Sequence, residues 1–303
     1  MTMKLQKILF SPTVNRMGLW LGEHLSPQWG YRLGSWVANA ISRRKNAEQV
    51  RAVRANQWVL SGYQAGAVEL DVMVKAVYLS SSRSLYDYYH CMRDPEEIRK
   101  KIIFDTSFDN FMKRSKTAME GSLGLILHMG AFDLAGYAIT LSGMRPQILS
   151  YPNPNTGYQW HNELRRQAGL NVTPLSMKAL HQANLFLKSG GTVITGLDRP
   201  WPGAHQYPYF LGAPTHIPVT PIQMALRTRV PVAVIACIRQ PGSDHYILFA
   251  SDLIEMRPNA NRDVELVENT ERVLAVAEPF LRMAPEQWAM FYPVWPQILS
   301  EMP

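Results

Sequence analysis

From Leu123 onward, short apolar runs alternate with helix-like stretches, and no other feature constrains the fold as tightly. LGLIL (123–127) precedes a helical pattern near 132–142, QILSY precedes one across TGYQWHNELRRQAG, and NVTPL precedes one across MKALHQANLFLKSG. GTVITGL then runs into a Pro/Gly/aromatic loop, and a helical pattern near 219–229 leads into PVAVIACI and HYILFAS. The helical stretch DVELVENTERVLAVAEPFLRM and an aromatic tail close the series. Alternation of this kind implies an α/β fold with a largely parallel central sheet flanked by helices.

The preceding part of the chain reads as helices alone. SPQWGYRLGSWVANAISRR opens on Ser26 and Pro27, a cap followed by a first-turn proline. Its Trp29, Leu33, Trp36, Val37 and Ala40 recur at the spacing of one helix face. Met17, Trp20, Leu21 and Leu25 repeat the pattern upstream, while NAEQVRAVRANQWVL and DPEEIRKKIIFDTSFDNFMK begin on Asn and Asp-Pro. The expected organisation is an N-terminal helical region over 1–120 joined to an α/β core over 121–303, integrated into a single domain.

With 303 residues, 47% of them hydrophobic, the chain can bury a sizeable core. A formal charge of +7 points to an anionic partner such as nucleic acid, a phospholipid surface or an acidic carrier. There is no zinc-finger spacing and no ribonucleoprotein aromatic motif, which argues against nucleic acid. Cys91 and Cys237 lie far apart in apolar surroundings and read as free core thiols of a reducing compartment, outside any metal site. MTMKLQKILFSPTVNR lacks the long apolar region and small-residue cleavage site of a signal peptide, and no run of 18 apolar residues marks a spanning helix. The Trp-rich stretches 17–25 and 29–40, followed by Arg43, Arg44 and Lys45, suit helices lying in the headgroup region of an anionic leaflet. Ordinary core-facing helices are the alternative.

One motif concentrates ionisable groups in apolar sequence: LILHMGAFDLAGY, residues 125–137. His128 falls just past the carboxyl end of an expected strand, Gly130 allows a tight turn, and Asp133 opens the next helix. Ligands of open α/β sheets bind outside those strand ends. The spacing lets the Asp133 carboxylate fold back onto the imidazole, fix its tautomer and leave the other ring nitrogen basic. The bland alternative is a satisfied core histidine beside a helix-capping aspartate. With no G-x-S-x-G elbow, no neighbouring cysteine and no second histidine at metal spacing, the pair suits direct activation of a substrate hydroxyl or of water.

HMGAFD also fits the H-x-x-x-x-D/E motif of glycerolipid acyltransferases. The features beyond it are an Arg ahead of a Gly in NELRRQAGLNV, the Asp-Arg of GLDRP, the aromatic-Gly segment YPYFLGAPTHIPVTPIQMALRTRVPV and the closing APEQWAMFYPVW. Over roughly residues 50–296 they resemble the branch of bacterial lipid A lauroyl/myristoyl acyltransferases and phosphatidylinositol mannoside acyltransferase. The resemblance implies fatty acyl transfer from a thioester of coenzyme A or acyl carrier protein to a glycolipid hydroxyl. No acyl-enzyme and no cofactor besides that co-substrate are implied.

His128 would be the general base and Asp133 its orienting partner, with backbone N–H groups near Gly130 as oxyanion donors. Arg165 or Arg166 would meet a substrate phosphate, unless both lie on a solvated helix face. Asp198 and Arg199 match an acidic-basic pair, on the substrate side or in a supporting salt bridge. Tyr209, Phe210 and Gly212 match the aromatic-Gly segment, with acyl-chain contact or core packing as their roles. His161 is a candidate for lining the cleft. The Asp variant of the motif, the Asp-Arg pair and the absence of a spanning helix lean toward the phosphatidylinositol mannoside type, working peripherally at the cytoplasmic face of the cell membrane, with lipid A-type acylation of a sugar-linked hydroxyacyl chain as the alternative acceptor. A thioester hydrolase and an inactive lipid-binding protein are the alternatives on the same fold.

Overall fold

The computed structural model describes residues 12–117, 121–152, 156–201 and 203–303. Residues 1–11, most of the 1–16 stretch on which the reading of an absent signal peptide rests, lie outside the described residues. Among the described residues four helices precede the sheet: α1 (Pro12–His24), α2 (Pro27–Ser42), α3 (Glu48–Leu60) and α4 (Ala67–Cys91). As the Ser-Pro pair predicts, α2 starts at Pro27 after an extended Ser26. Its inner face is made of small residues, Gly30 and Ala38, while Trp29, Leu33, Trp36 and Val37 are exposed, as are Met17 and Trp20 of α1. The apolar stripe therefore points away from the core. Among the described residues no helix is long and apolar enough to cross a membrane.

The single helix expected across DPEEIRKKIIFDTSFDNFMK is interrupted. Asp94 caps α5 (Pro95–Lys101), accepting from the amides of Glu96 and Glu97, and Ile102–Phe104 then forms strand β1 before α6 (Thr106–Thr117). Two adjacent isoleucines and a phenylalanine favour a pleated edge. Asp105 restarts the helix, accepting from the Ser107 amide at 2.8 Å and the Ser107 hydroxyl at 2.6 Å.

The core alternates as expected. β2 (Ser122–Ile126), α7 (Phe132–Leu141), β3 (Gln147–Ser150), α8 (Thr156–Gln167), β4 (Asn171–Pro174), α9 (Met177–Lys188) and β5 (Thr192–Gly196) follow one another. A short hairpin of β6 (Tyr209–Phe210) and β7 (Ala213–Pro214) leads to α10 (Thr220–Thr228), β8 (Val232–Arg239), β9 (Tyr246–Ala250) and α11 (Arg262–Met283). Among the described residues the sheet has seven strands in the order β1-β9-β8-β2-β5-β3-β4. Its pairings are parallel except where β9 runs antiparallel to β8.

Alternate residues of the central strands serve two cores, as the two-residue period of a strand requires. Leu123, Leu125, Val193, Val232 and Val234 pack with α9, α10 and α11. Ile194, Ala233, Ile235 and Cys237 face the opposite way, toward α6 and α7. β2 thus sits in mid-sheet, covered on both faces, and its carboxyl end delivers His128 between β5 and β8.

Candidate active site

The chain leaves β2 through Leu127 and His128 and reverses at Gly130, whose φ is +51°. A Cβ there would lie 2.3 Å from the Cys237 carbonyl oxygen, so only glycine fits both the backbone and the space. The segment Gln287–Ala289, past α11, lies against this turn. Gly130 N–H donates to the Gln287 carbonyl at 3.0 Å, and Ala289 N–H donates to the His128 carbonyl at 2.8 Å. Of the backbone N–H groups near Gly130 expected as oxyanion donors, that of Gly130 itself is thereby excluded, because it is spent on Gln287.

The partner of the imidazole also differs from the expectation. His128 Nδ1 lies 2.6 Å from Oδ1 of Asp198, not against Asp133. Asp198 follows the carboxyl end of β5, the strand paired with β2, and is wholly buried. Its Oδ2 accepts the backbone N–H of His128 at 3.0 Å and the indole N–H of Trp288 at 2.7 Å. Burial pushes the Asp198 carboxyl up, but the His128 charge and the hydrogen bonds from the imidazole, the indole and the amide outweigh it and hold the group below the usual carboxylate range. An ionised carboxylate can only accept, so Nδ1 carries the ring hydrogen and Nε2 is the basic nitrogen.

Asp133 instead forms an ion pair with Arg165. It sits in the first turn of α7, across from α8, whose Arg165 also donates to Asn162 Oδ1 at 2.8 Å and lies 5.5 Å from the Tyr158 ring centre. A carboxylate facing that half-buried cation is better satisfied there than over the imidazole. Arg166, one residue on, turns about 100° around the helix and pairs with Glu163 on the exposed face. The open choice between the two arginines is settled in position: Arg165 faces inward and Arg166 faces solvent.

His128, Asp133, Arg165 and Tyr158 share a cavity of about 90 Å³. Phe132, Gly136 and Ile139, at i, i+4 and i+7 of α7, form one wall, while Ile148 of β3 and Ile194 of β5 form the other. Pro146 and Leu170, which precede β3 and β4, lie at the far end. At ~1.5 Å rise per residue, the α7 wall is roughly 10 Å long. The cavity is therefore polar at the carboxyl edge of the sheet and apolar beneath α7. The Phe132 ring meets the imidazole edge-on, with centres 4.8 Å apart.

The remaining sequence candidates lie elsewhere. Arg199 makes no pair with Asp198; its guanidinium sits 4.3 Å and 4.4 Å from the ring centres of Tyr151 and Tyr292 and donates to the Tyr292 hydroxyl at 2.7 Å. Phe210 is buried against Trp295, with ring centres 5.7 Å apart, and belongs to the core on the α9–α11 side of the sheet. Leu211 and Gly212, with φ of +50° and +83°, make the two-residue turn of the β6–β7 hairpin, so of the two roles expected Phe210 takes core packing, and Gly212 shapes the turn in place of the expected substrate contact. His161 lies behind the ion pair with Tyr88 and Tyr89, where burial lowers its pKa to about 4 and keeps it neutral.

Trp288, in the closing APEQWAMFYPVW segment, is a site residue to which the sequence pattern assigns no role. Its signal was the closing PEQ-aromatic segment, whose main chain clamps the histidine turn. Taken together, the arrangement is an imidazole of fixed tautomer, backed by a buried carboxylate, at the polar mouth of an apolar cavity. Such a group takes a proton from a hydroxyl held at Nε2. Residues 13–297 match the family model described as bacterial lipid A biosynthesis acyltransferase. No curated protein matches the chain.

Proposed function

The chain belongs to the bacterial lipid A biosynthesis acyltransferase family, and from that premise we propose that it moves a fatty acyl group from a thioester to a glycolipid hydroxyl with His128 as general base. The observation that carries the reading is the His128–Asp198 pair at the mouth of an apolar cavity. Nε2 of His128 removes the acceptor hydroxyl proton as the oxygen attacks the thioester carbonyl carbon. The tetrahedral adduct collapses, the carbon–sulfur bond breaks, and the imidazolium returns the proton to the departing thiolate. Asp198 stabilises that imidazolium, and general-base catalysis of this kind contributes on the order of 10² to 10⁴ in rate. No side chain attacks the carbonyl, so no acyl-enzyme forms.

The acyl chain lies beneath α7, along Gly136 and Ile139. The first turn of α7 has no side-chain cap, and its positive end faces the developing oxyanion. Arg165, held by Asp133, presents a guanidinium to a phosphate of the donor or of the lipid headgroup. The donor is acyl-CoA or acyl carrier protein. Outward-facing Trp20, Trp29 and Trp36, together with Arg43, Arg44 and Lys45, seat the protein on the anionic cytoplasmic leaflet.

The test supplies the purified protein with labelled acyl-CoA, with and without a bacterial lipid extract. Label moves into lipid only when the extract is present. Equal thioester loss without an acceptor would make the protein a hydrolase, and no turnover in either arm would leave a lipid-binding protein.

A further inference from the structure

We propose that Trp288 is a positioning residue for the proton transfer, holding Asp198 in the one orientation that sets the tautomer of His128. The inference rests on the acyltransferase reading and deepens it. The indole has a single N–H donor, Trp288 is 1% exposed, and a buried donor needs an acceptor. The acceptor is Oδ2 of Asp198, which also takes the His128 backbone N–H, so only Oδ1 is left to face Nδ1. Two donors on one oxygen and the imidazole on the other leave the carboxylate no second rotamer.

The indole is in turn held from outside the site. The Gln287 side chain bridges the amide and carbonyl of Arg239 at the end of β8, at 2.7 and 2.9 Å. Asn56 on α3 donates to the carbonyls of Met290 and Tyr292 at 3.0 and 2.9 Å. The closing segment is therefore a strap pinned at both ends, with the indole aimed at Asp198 between them. Other charged or titratable groups facing His128 are Asp133 on α7 and Arg165 on α8, which are paired with each other, and Tyr158 on α8.

Phenylalanine fills much of the space of the indole but donates nothing. In Trp288→Phe the carboxylate keeps more of its charge for the imidazolium, so the acid limb of kcat/KM moves to higher pH, while the loosened carboxylate lowers kcat about ten- to a hundredfold. KM for donor and acceptor stays within threefold. Trp288→His, which retains a ring N–H, restores part of kcat. Independently of turnover, the proton on His128 Nδ1 shifts or broadens in the NMR spectrum of Trp288→Phe and returns toward the parent position in Trp288→His. An unchanged Nδ1 signal with an unmoved acid limb would overturn the proposal, as would a rise in KM alone. A parent protein that turns over no thioester would remove the acyltransferase reading, and the NMR comparison would still decide the role of Trp288.

Discussion

Replacing Asp198 by asparagine keeps the shape of the side chain and removes the charge that the account places behind His128. The imidazole and carboxylate approach to 2.6 Å between Nδ1 and Oδ1, which puts their charge centres about 4 Å apart. At an effective dielectric near 20, attraction over that distance is about 4 kcal/mol. The attraction is present only once the imidazolium has formed, so its loss appears in the barrier, at one decade of rate for each ~1.4 kcal/mol. The expected fall in kcat is thus about 10²- to 10³-fold.

The hydrogen bonds sharpen the argument. The indole of Trp288 and the amide of His128 both donate to one oxygen, so the asparagine carbonyl must occupy that place and its NH₂ must face Nδ1. That reverses the tautomer and protonates Nε2, the nitrogen required as base. Steady-state acyl transfer, a melting curve to confirm folding, and the nitrogen shifts of His128 form the assay. A folded Asp198→Asn protein with kcat within threefold of the parent would refute the reasoning. Asp133→Asn, by contrast, acts through Arg165 and should leave the His128 tautomer unchanged.

Three further outcomes are expected. Gly196→Ala places a Cβ 2.9 Å from Cε1 of His128; steady-state kinetics should show kcat falling roughly ten- to a hundredfold with KM little changed. His161, neutral in the fold with its pKa lowered from 6.5 to about 4, binds its proton more readily in the unfolded chain, so folding stability falls as pH drops through that window, by about 3 kcal/mol. Urea unfolding of His161→Gln should lack that part of the pH dependence between pH 6.5 and 4, and an identical slope would contradict it. Substituting alanine for Trp20, Trp29 and Trp36, all exposed, should weaken co-sedimentation with anionic vesicles without lowering the melting temperature, and unchanged sedimentation would remove the interfacial role.

The strands and helices were legible because each carries its own periodicity, and so was the position of His128, just past a buried strand at the edge where such sheets bind ligands. Its partner was not. A gap of five positions fixes neither the direction in which Asp133 leaves α7 nor the counter-charge opposite, and Arg165 on α8 wins that carboxylate. Asp198 lies 70 positions from His128 and meets it only because β2 and β5 are neighbours in the sheet. Local pattern carries no trace of that adjacency.

The interruption at Ile102–Phe104 was hidden for a related reason: three apolar residues continue a helical pattern as readily as they start a strand, and pairing with β9 decides. Phe210 and Gly212 matched an aromatic-Gly segment by type, but the hairpin they build turns the ring toward Trp295, on the opposite side of the sheet from the cavity.

The measurement that reaches the centre of the account is the rate of acyl transfer by His128→Ala, with labelled acyl-CoA and a lipid extract containing the acceptor. Removal of the imidazole should lower turnover by two to four decades while the fold and donor binding persist. Transfer surviving within a few-fold of the parent rate would place the base elsewhere and contradict the mechanism.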